Sequence, residues 1–162
     1  MTFLLRLLLP LAALLLAFAT AQQASDKITI YKDSQKYAYY GCYNETTGID
    51  GSDHSRALSD GINEVKRGEM TVPMCLSFCS GGKTEYRYAG LEWSRECWCS
   101  QSLSGISKKL DDGQCNFPCE GDNTTACGGS LKLTVYRLSS ASTRVTGSAL
   151  LATFGVALTL FL

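Results

Sequence analysis

Hydrophobic residues fall along this chain as two unbroken runs at the ends and short bursts between them. The first run, MTFLLRLLLPLAALLLAFATA (residues 1–21), has one early cation, Arg6, and closes on Ala19-Thr20-Ala21. A charged start, a greasy centre and a small-x-small end predict a secretory signal peptide cleaved after Ala21. The last run, Ala149 to Leu162, is about 14 residues long, short of the roughly 20 that a bilayer helix needs. The stretch LSSASTRVTGS before it offers small residues and a polar spacer. That combination predicts a GPI-attachment signal. Ser140 is the preferred ω residue, because it leaves Ala141 to Ser148 as a spacer of about eight residues. The expected organisation is therefore a signal peptide (1–21), an N-terminal segment (22–35), one domain (36–138), a linker (139–148) and a hydrophobic tail (149–162).

Between the runs the pattern is that of a small α+β domain. KYAYYGCYN (Lys36 to Asn44) is aromatic and strand-like. TVPMCLSFCSGG (Thr71 to Gly82) reads as a short helix, with Thr71 as N-cap, Pro73 in the first turn and Gly81-Gly82 as its end. YRYAGLEW (Tyr86 to Trp93) and CWCS read as strands around a hairpin turn at Ser94-Arg95-Glu96, and LKLTVYRL (Leu131 to Leu138) as a closing strand. Thr46 to Met70 is a long Gly/Asp/Ser-rich connection whose one apolar foothold is Arg56-Ala57-Leu58. Ser102 to Gly129 reads as loop, and nothing repeats.

Composition narrows the chemistry. Acidic and basic residues balance at 15 each, and setting aside Arg6 and Arg144 with the terminal signals leaves the domain slightly acidic. With no basic stripe, nucleic acid is not an expected partner. Eight cysteines, at 42, 75, 79, 97, 99, 115, 119 and 127, all lie in the domain. An even count on a secretory route predicts disulfides. A single histidine, His54, and the absence of C-x-x-C argue against zinc and thiol redox chemistry. On a helix Cys75 and Cys79 share a face roughly 6 Å apart, and on a strand Cys97 and Cys99 share a face roughly 6.5 Å apart. Parallel bridges 75–97 and 79–99, or the crossed pair, would pin the helix flat on the sheet. Cys97 and Cys99 are too close in sequence to bond to one another. Among the other four, CEGDNTTAC closes easily as 119–127 and leaves 42–115.

Six segments then carry a family resemblance: YYGCY (Tyr39 to Tyr43), RAL (Arg56 to Leu58), MTVPMCLSFC (Met70 to Cys79), YAGLEWSRECWCS (Tyr88 to Ser100), CNFPCEGD (Cys115 to Asp122) and ACGGSLKLTVY (Ala126 to Tyr136). In order and spacing they resemble a WSC domain, the cysteine-rich carbohydrate-binding module of fungal cell-wall sensors and some secreted proteins. The resemblance covers about Lys36 to Leu138. It implies a PAN/apple-like fold, a short helix packed on a small antiparallel sheet with long loops. It also implies the disulfides Cys42–Cys115, Cys75–Cys97, Cys79–Cys99 and Cys119–Cys127. Trp98 and Trp93 stand where the family more often has tyrosine or phenylalanine. Wall sensors carry a Ser/Thr-rich spring, a spanning helix and a cytoplasmic tail, which are not expected here.

Sugars are gripped by stacking their C–H faces on aromatic rings. If Cys97 and Cys99 face the helix, strand alternation turns Trp98 to the opposite side. Trp98 is the first candidate platform, with cover by the 102–114 loop or the N-terminal segment as its structural alternative. Trp93, Tyr86, Tyr88 and Tyr43 are further carbohydrate candidates that compete with sheet packing. Tyr39 and Tyr40 are undecided, and Arg87, Glu92, Arg95 and Asp122 are either hydroxyl partners or a solvated face. Asn44 and Asn123 begin N-glycosylation sequons. Glycoside hydrolysis needs two carboxylates facing across a cleft. Glu92, Glu96, Asp111 and Asp112 do not read that way, and no nucleophile, metal or phosphate-loop signature is present. The expectation is a non-enzymatic, cofactor-free and metal-free lectin-like module, lipid-anchored on the outer face of the plasma membrane or in the wall. Its expected partner is wall polysaccharide, β-glucan first, with chitin or xylan next. The alternative is a structural or adhesive surface protein acting through protein contacts.

Overall fold

The computed structural model describes residues 27 to 139; the expected signal peptide, the ω residue Ser140 and the apolar tail lie outside that range. Its elements are β1 (Tyr37–Asn44), β2 (Asn63–Val65), α1 (Val72–Ser80), β3 (Tyr88–Glu92), β4 (Glu96–Ser100), β5 (Lys109–Leu110), a 3-10 turn (Asp112–Gln114), β6 (Pro118–Cys119), β7 (Asp122–Ala126) and β8 (Lys132–Leu138). Six strands form one antiparallel sheet in the order β2-β4-β3-β8-β1-β5, and β6 and β7 pair as a separate hairpin.

The helix starts where its cap predicts. Extended Thr71 accepts the Met74 N–H through its hydroxyl (3.3 Å), Pro73 sits in the first turn and Gly81 follows the last residue. Val72, Cys75, Leu76 and Cys79 are buried, the spacing of a single helix face. That face lies on β3 and β4 and is bonded to β4. The staple takes its parallel form, Cys75–Cys97 and Cys79–Cys99, with Cα separations of 5.4 and 5.3 Å. Cys42–Cys115 and Cys119–Cys127 complete the framework.

Both sheet faces carry a core. Under the helix lie Tyr37, Met70, Ala89, Leu91 and Tyr136 with the staple sulfurs. On the opposite face Ala57 and Leu58 of the long connection pack with Tyr43, Tyr88, Leu133 and Val135. Gly90 makes this second layer fit: a Cβ there would come within 2.6 Å of Leu58 Cδ1 and 2.9 Å of Leu133 Cδ2.

The structure departs from the sequence reading in three places. The connection contains the edge strand β2, and the segment read as loop contains β5 and the β6–β7 hairpin. These strands have two, three or five residues, too few to show an alternating pattern. The hairpin turn is Trp93-Ser94-Arg95, not Ser94-Arg95-Glu96, because Glu96 pairs with Glu92. Trp93 and Ser94 take left-handed backbone (φ 53° and 66°), which costs energy for non-glycine residues. Bonds from a distant segment offset that cost: Ser94 N–H donates to Cys127 O (3.0 Å), and Glu120 N–H to Ser94 O (2.9 Å).

Candidate functional site

With Cys97 and Cys99 committed to the helix, Trp98 points to the other face, between Gly90 of β3 and Asn63 of β2. It is half-buried against the second core. The Arg56 guanidinium lies 3.7 Å from its ring centroid, a cation–π contact, and the indole N–H donates to Glu96 Oε2 (3.3 Å). Beside the ring is a shallow cavity of about 190 Å³ lined by Arg56, Ser59, Ile62, Asn63 and Trp98. The cover supplied to Trp98 thus includes Arg56 of the long connection. An indole backed by a cation and edged by an amide and a hydroxyl suits a ligand with a flat C–H face and peripheral hydroxyls.

Arg56 is itself held from beneath. Its Nη1 donates to Glu45 Oε2 (2.6 Å) and Glu92 Oε2 (2.7 Å), and Glu96 Oε2 is 4.0 Å from Nη2. Glu45 Oε1 accepts the N–H groups of Thr46 and Ala57, each at 2.6 Å, so this carboxylate folds the connection onto the sheet. Glu92 is fully buried and its Oε1 has no partner. It is neither a hydroxyl partner nor part of a solvated face, because strand alternation places it beneath Arg56. Burial above all, with crowding from Glu45 and Glu96, pushes its carboxyl up to about 7 despite the pull of Arg56.

A carboxyl raised in the folded state stabilises the fold fully below its ordinary value of 4.5, and this contribution is lost as pH rises through about 7. Chemical denaturation should therefore show wild-type stability falling relative to Glu92→Gln across that window, by on the order of 3 kcal/mol. Parallel pH profiles for the two proteins would contradict the assignment.

The other candidates separate into groups. Tyr43 and Tyr88 come together through Tyr40, which stacks on Tyr43 (centroids 5.5 Å, planes 5° apart) and meets Tyr88 edge-on (5.8 Å). Trp93 lies on the β3–β4 turn, edge-on to Phe117 (5.9 Å). Tyr86 packs on the helix-side core beside Gly61. Arg95 pairs with Glu120 (3.0 Å), and Asp122 accepts from Thr124 and Thr125 within its own hairpin. Arg87 is exposed near the Tyr88 ring. Asn123 is exposed, whereas the half-buried Asn44 side chain accepts Lys108 N–H (2.5 Å) and donates to Glu45 O (3.0 Å). The sulfurs of Cys75, Cys79 and Cys97 crowd within 4.8 Å of one another, but each belongs to a disulfide. Arg56 is the residue of this candidate site that sequence reasoning misses, since its motif reads as an apolar foothold and a family segment and gives no sign of the carboxylates that meet its guanidinium. Asn63 was hidden in the same way inside a polar connection.

Taken together, the molecule is a disulfide-stapled α+β domain with a shallow aromatic surface, and among the described residues no helix is long and apolar enough to cross a membrane. The WSC domain family matches residues 39–129, and the chain belongs to that family. It is similar to a WSC domain-containing protein of Arthroderma benhamiae, 33% identical over 101 residues, covering 62% of this chain and 12% of that protein. A putative fungistatic metabolite of Chaetomium globosum is 36% identical over 99 residues, 61% of this chain and 41% of that protein. A xylosyltransferase of Drosophila pseudoobscura pseudoobscura is 29% identical over 96 residues, 59% of this chain and 10% of that protein. The chain thus spans between 10% and 41% of the length of these relatives.

Proposed function

We propose that this protein is a non-catalytic carbohydrate-binding module of the cell surface, which grips a neutral wall polysaccharide, β-glucan first, in the groove at Trp98. The observation that carries this reading is the partly exposed indole backed by Arg56 and bordered by Asn63 and Ser59. A signal peptide and a lipid anchor at Ser140 would hold the module outside the plasma membrane or in the wall. One shallow groove gives weak attachment, and many copies on a surface would give firm attachment.

Retention of the purified protein on insoluble β-glucan, chitin and xylan tests it. Trp98→Ala should lose about tenfold in affinity for the retained polymer, equivalent to about 1.4 kcal/mol; because the ring also packs on the second core, binding is compared at a temperature where circular dichroism shows the variant folded. A folded protein that no wall polymer retains would sink the reading. The alternative, adhesion through protein contacts, draws support from exposed Ile62 and Val65 on and beside the edge strand β2, and concentration-dependent self-association would favour it.

A further inference from the structure

We propose that the surface formed by Tyr40, Arg137, Arg87 and Lys109 is a second binding site, one that takes the carboxylate or sulfate groups of an acidic polysaccharide. It lies on the same sheet face as Trp98 but does not rest on the groove reading. No run of basic residues announces it, because its cations come from separate parts of the chain. Sheet register sets Arg137 of β8 opposite Tyr88 of β3, and Lys109 of β5 opposite Tyr43 of β1.

The cations are laid against the tyrosine cluster. The Arg137 guanidinium carbon is 4.8 Å from the Tyr40 ring centroid, and that of Arg87 is 5.7 Å from the Tyr88 centroid. The Lys109 side chain crosses Gly41: a Cβ there would come 2.7 Å from Lys109 Cε and 3.1 Å from Tyr43 Cε2. All three cations are exposed. Among the described residues the ion pairs engage Lys36, Arg56, Lys66 and Arg95, and none of these three. Asp112, close to Lys109 in sequence, accepts the Tyr39 hydroxyl instead (2.7 Å).

A guanidinium resting on an aromatic ring keeps its charge and its in-plane donors while giving up side-chain freedom in advance. Unpaired, it is ready for the two oxygens of a carboxylate or sulfate. The cations sit just before β3 (Arg87), on β8 (Arg137) and on β5 (Lys109), with β1 between the last two, a span of three strand spacings or roughly 14 Å. A row of that length suits a polymer with repeating charges better than a single small anion. Tyr43 and Tyr88 are each only 9% exposed, so the patch lacks the protruding apolar residues that would enter a lipid surface.

The test compares polygalacturonate with its methyl-esterified form, which keeps the chain and removes the charge, using the purified protein in affinity electrophoresis. Polygalacturonate should bind at least about tenfold tighter, and added salt should erase the difference. The variant Arg137→Gln/Lys109→Gln should lose about tenfold for polygalacturonate, while Arg67→Gln/Lys83→Gln, with the same charge change elsewhere, should not. Trp98→Ala should leave this binding intact, so loss of the neutral-polymer reading would not remove it. Equal affinity for acid and ester, equal loss in both double variants, or binding to phosphatidylserine vesicles in place of polygalacturonate would overturn the proposal.

Discussion

Replacing Arg56 with alanine is expected to destabilise the fold by about 3–5 kcal/mol at neutral pH, the range for breaking a buried ion pair from one side. Two carboxylates with almost no exposed surface share this guanidinium, and their side chains are 1% and 0% accessible. Without it Glu45 is left in the interior with no counter-ion, and Glu92, no longer pulled down by the guanidinium, must take up a proton. The loss should shrink toward pH 5, because Glu92, raised to about 7, is then protonated. Denaturant titrations at the two pH values measure this directly. An Arg56→Ala protein as stable as wild type at pH 7.5 would mean that water or a proton already compensates the pair. Combining Arg56→Ala with Glu92→Gln should cost less than the sum of the two.

The second large effect concerns the bridges. By loop-closure entropy, removing Cys42–Cys115 as a double alanine variant should cost about 4 kcal/mol, and removing Cys119–Cys127 about 2.5 kcal/mol. Their separations of 73 and 8 residues set the order. Equilibrium unfolding of the two variants in the same buffer tests it. A costlier short bridge would show that local packing at the β6–β7 hairpin outweighs the constraint on the unfolded chain.

Features written within a few neighbouring residues were legible in the sequence. Thr71, Pro73 and Gly81 mark the helix ends because capping is local, and the one-residue gap between Cys97 and Cys99 fixes which way Trp98 points. Features that depend on partners far along the chain were not. Arg56 owes its role to Glu45, Glu92 and Glu96, which reach it from two other segments. The turn at Trp93 shifted by one residue because bonds from Cys127 and Glu120 support a backbone that those residues would not choose alone. The tyrosine–arginine surface depends on register across four strands, so no single segment contains it.

Ser139 N–H donates to Lys36 O (2.7 Å), so the outer ends of β1 and β8 lie side by side, while the segment before β1 is held separately by Thr29 against β7. A tension applied between those ends would meet the antiparallel rungs one at a time, starting at Tyr37 and Leu138. Covalently, the pull would pass from Cys42 to Cys115, along to Cys119, across to Cys127 and out through β8. Residues 43 to 114, which hold the helix, Arg56 and Trp98, are bypassed by that route. The bridges would act as a mechanical shunt: a stretched molecule could lengthen at its edges without drawing out the segment that carries the groove.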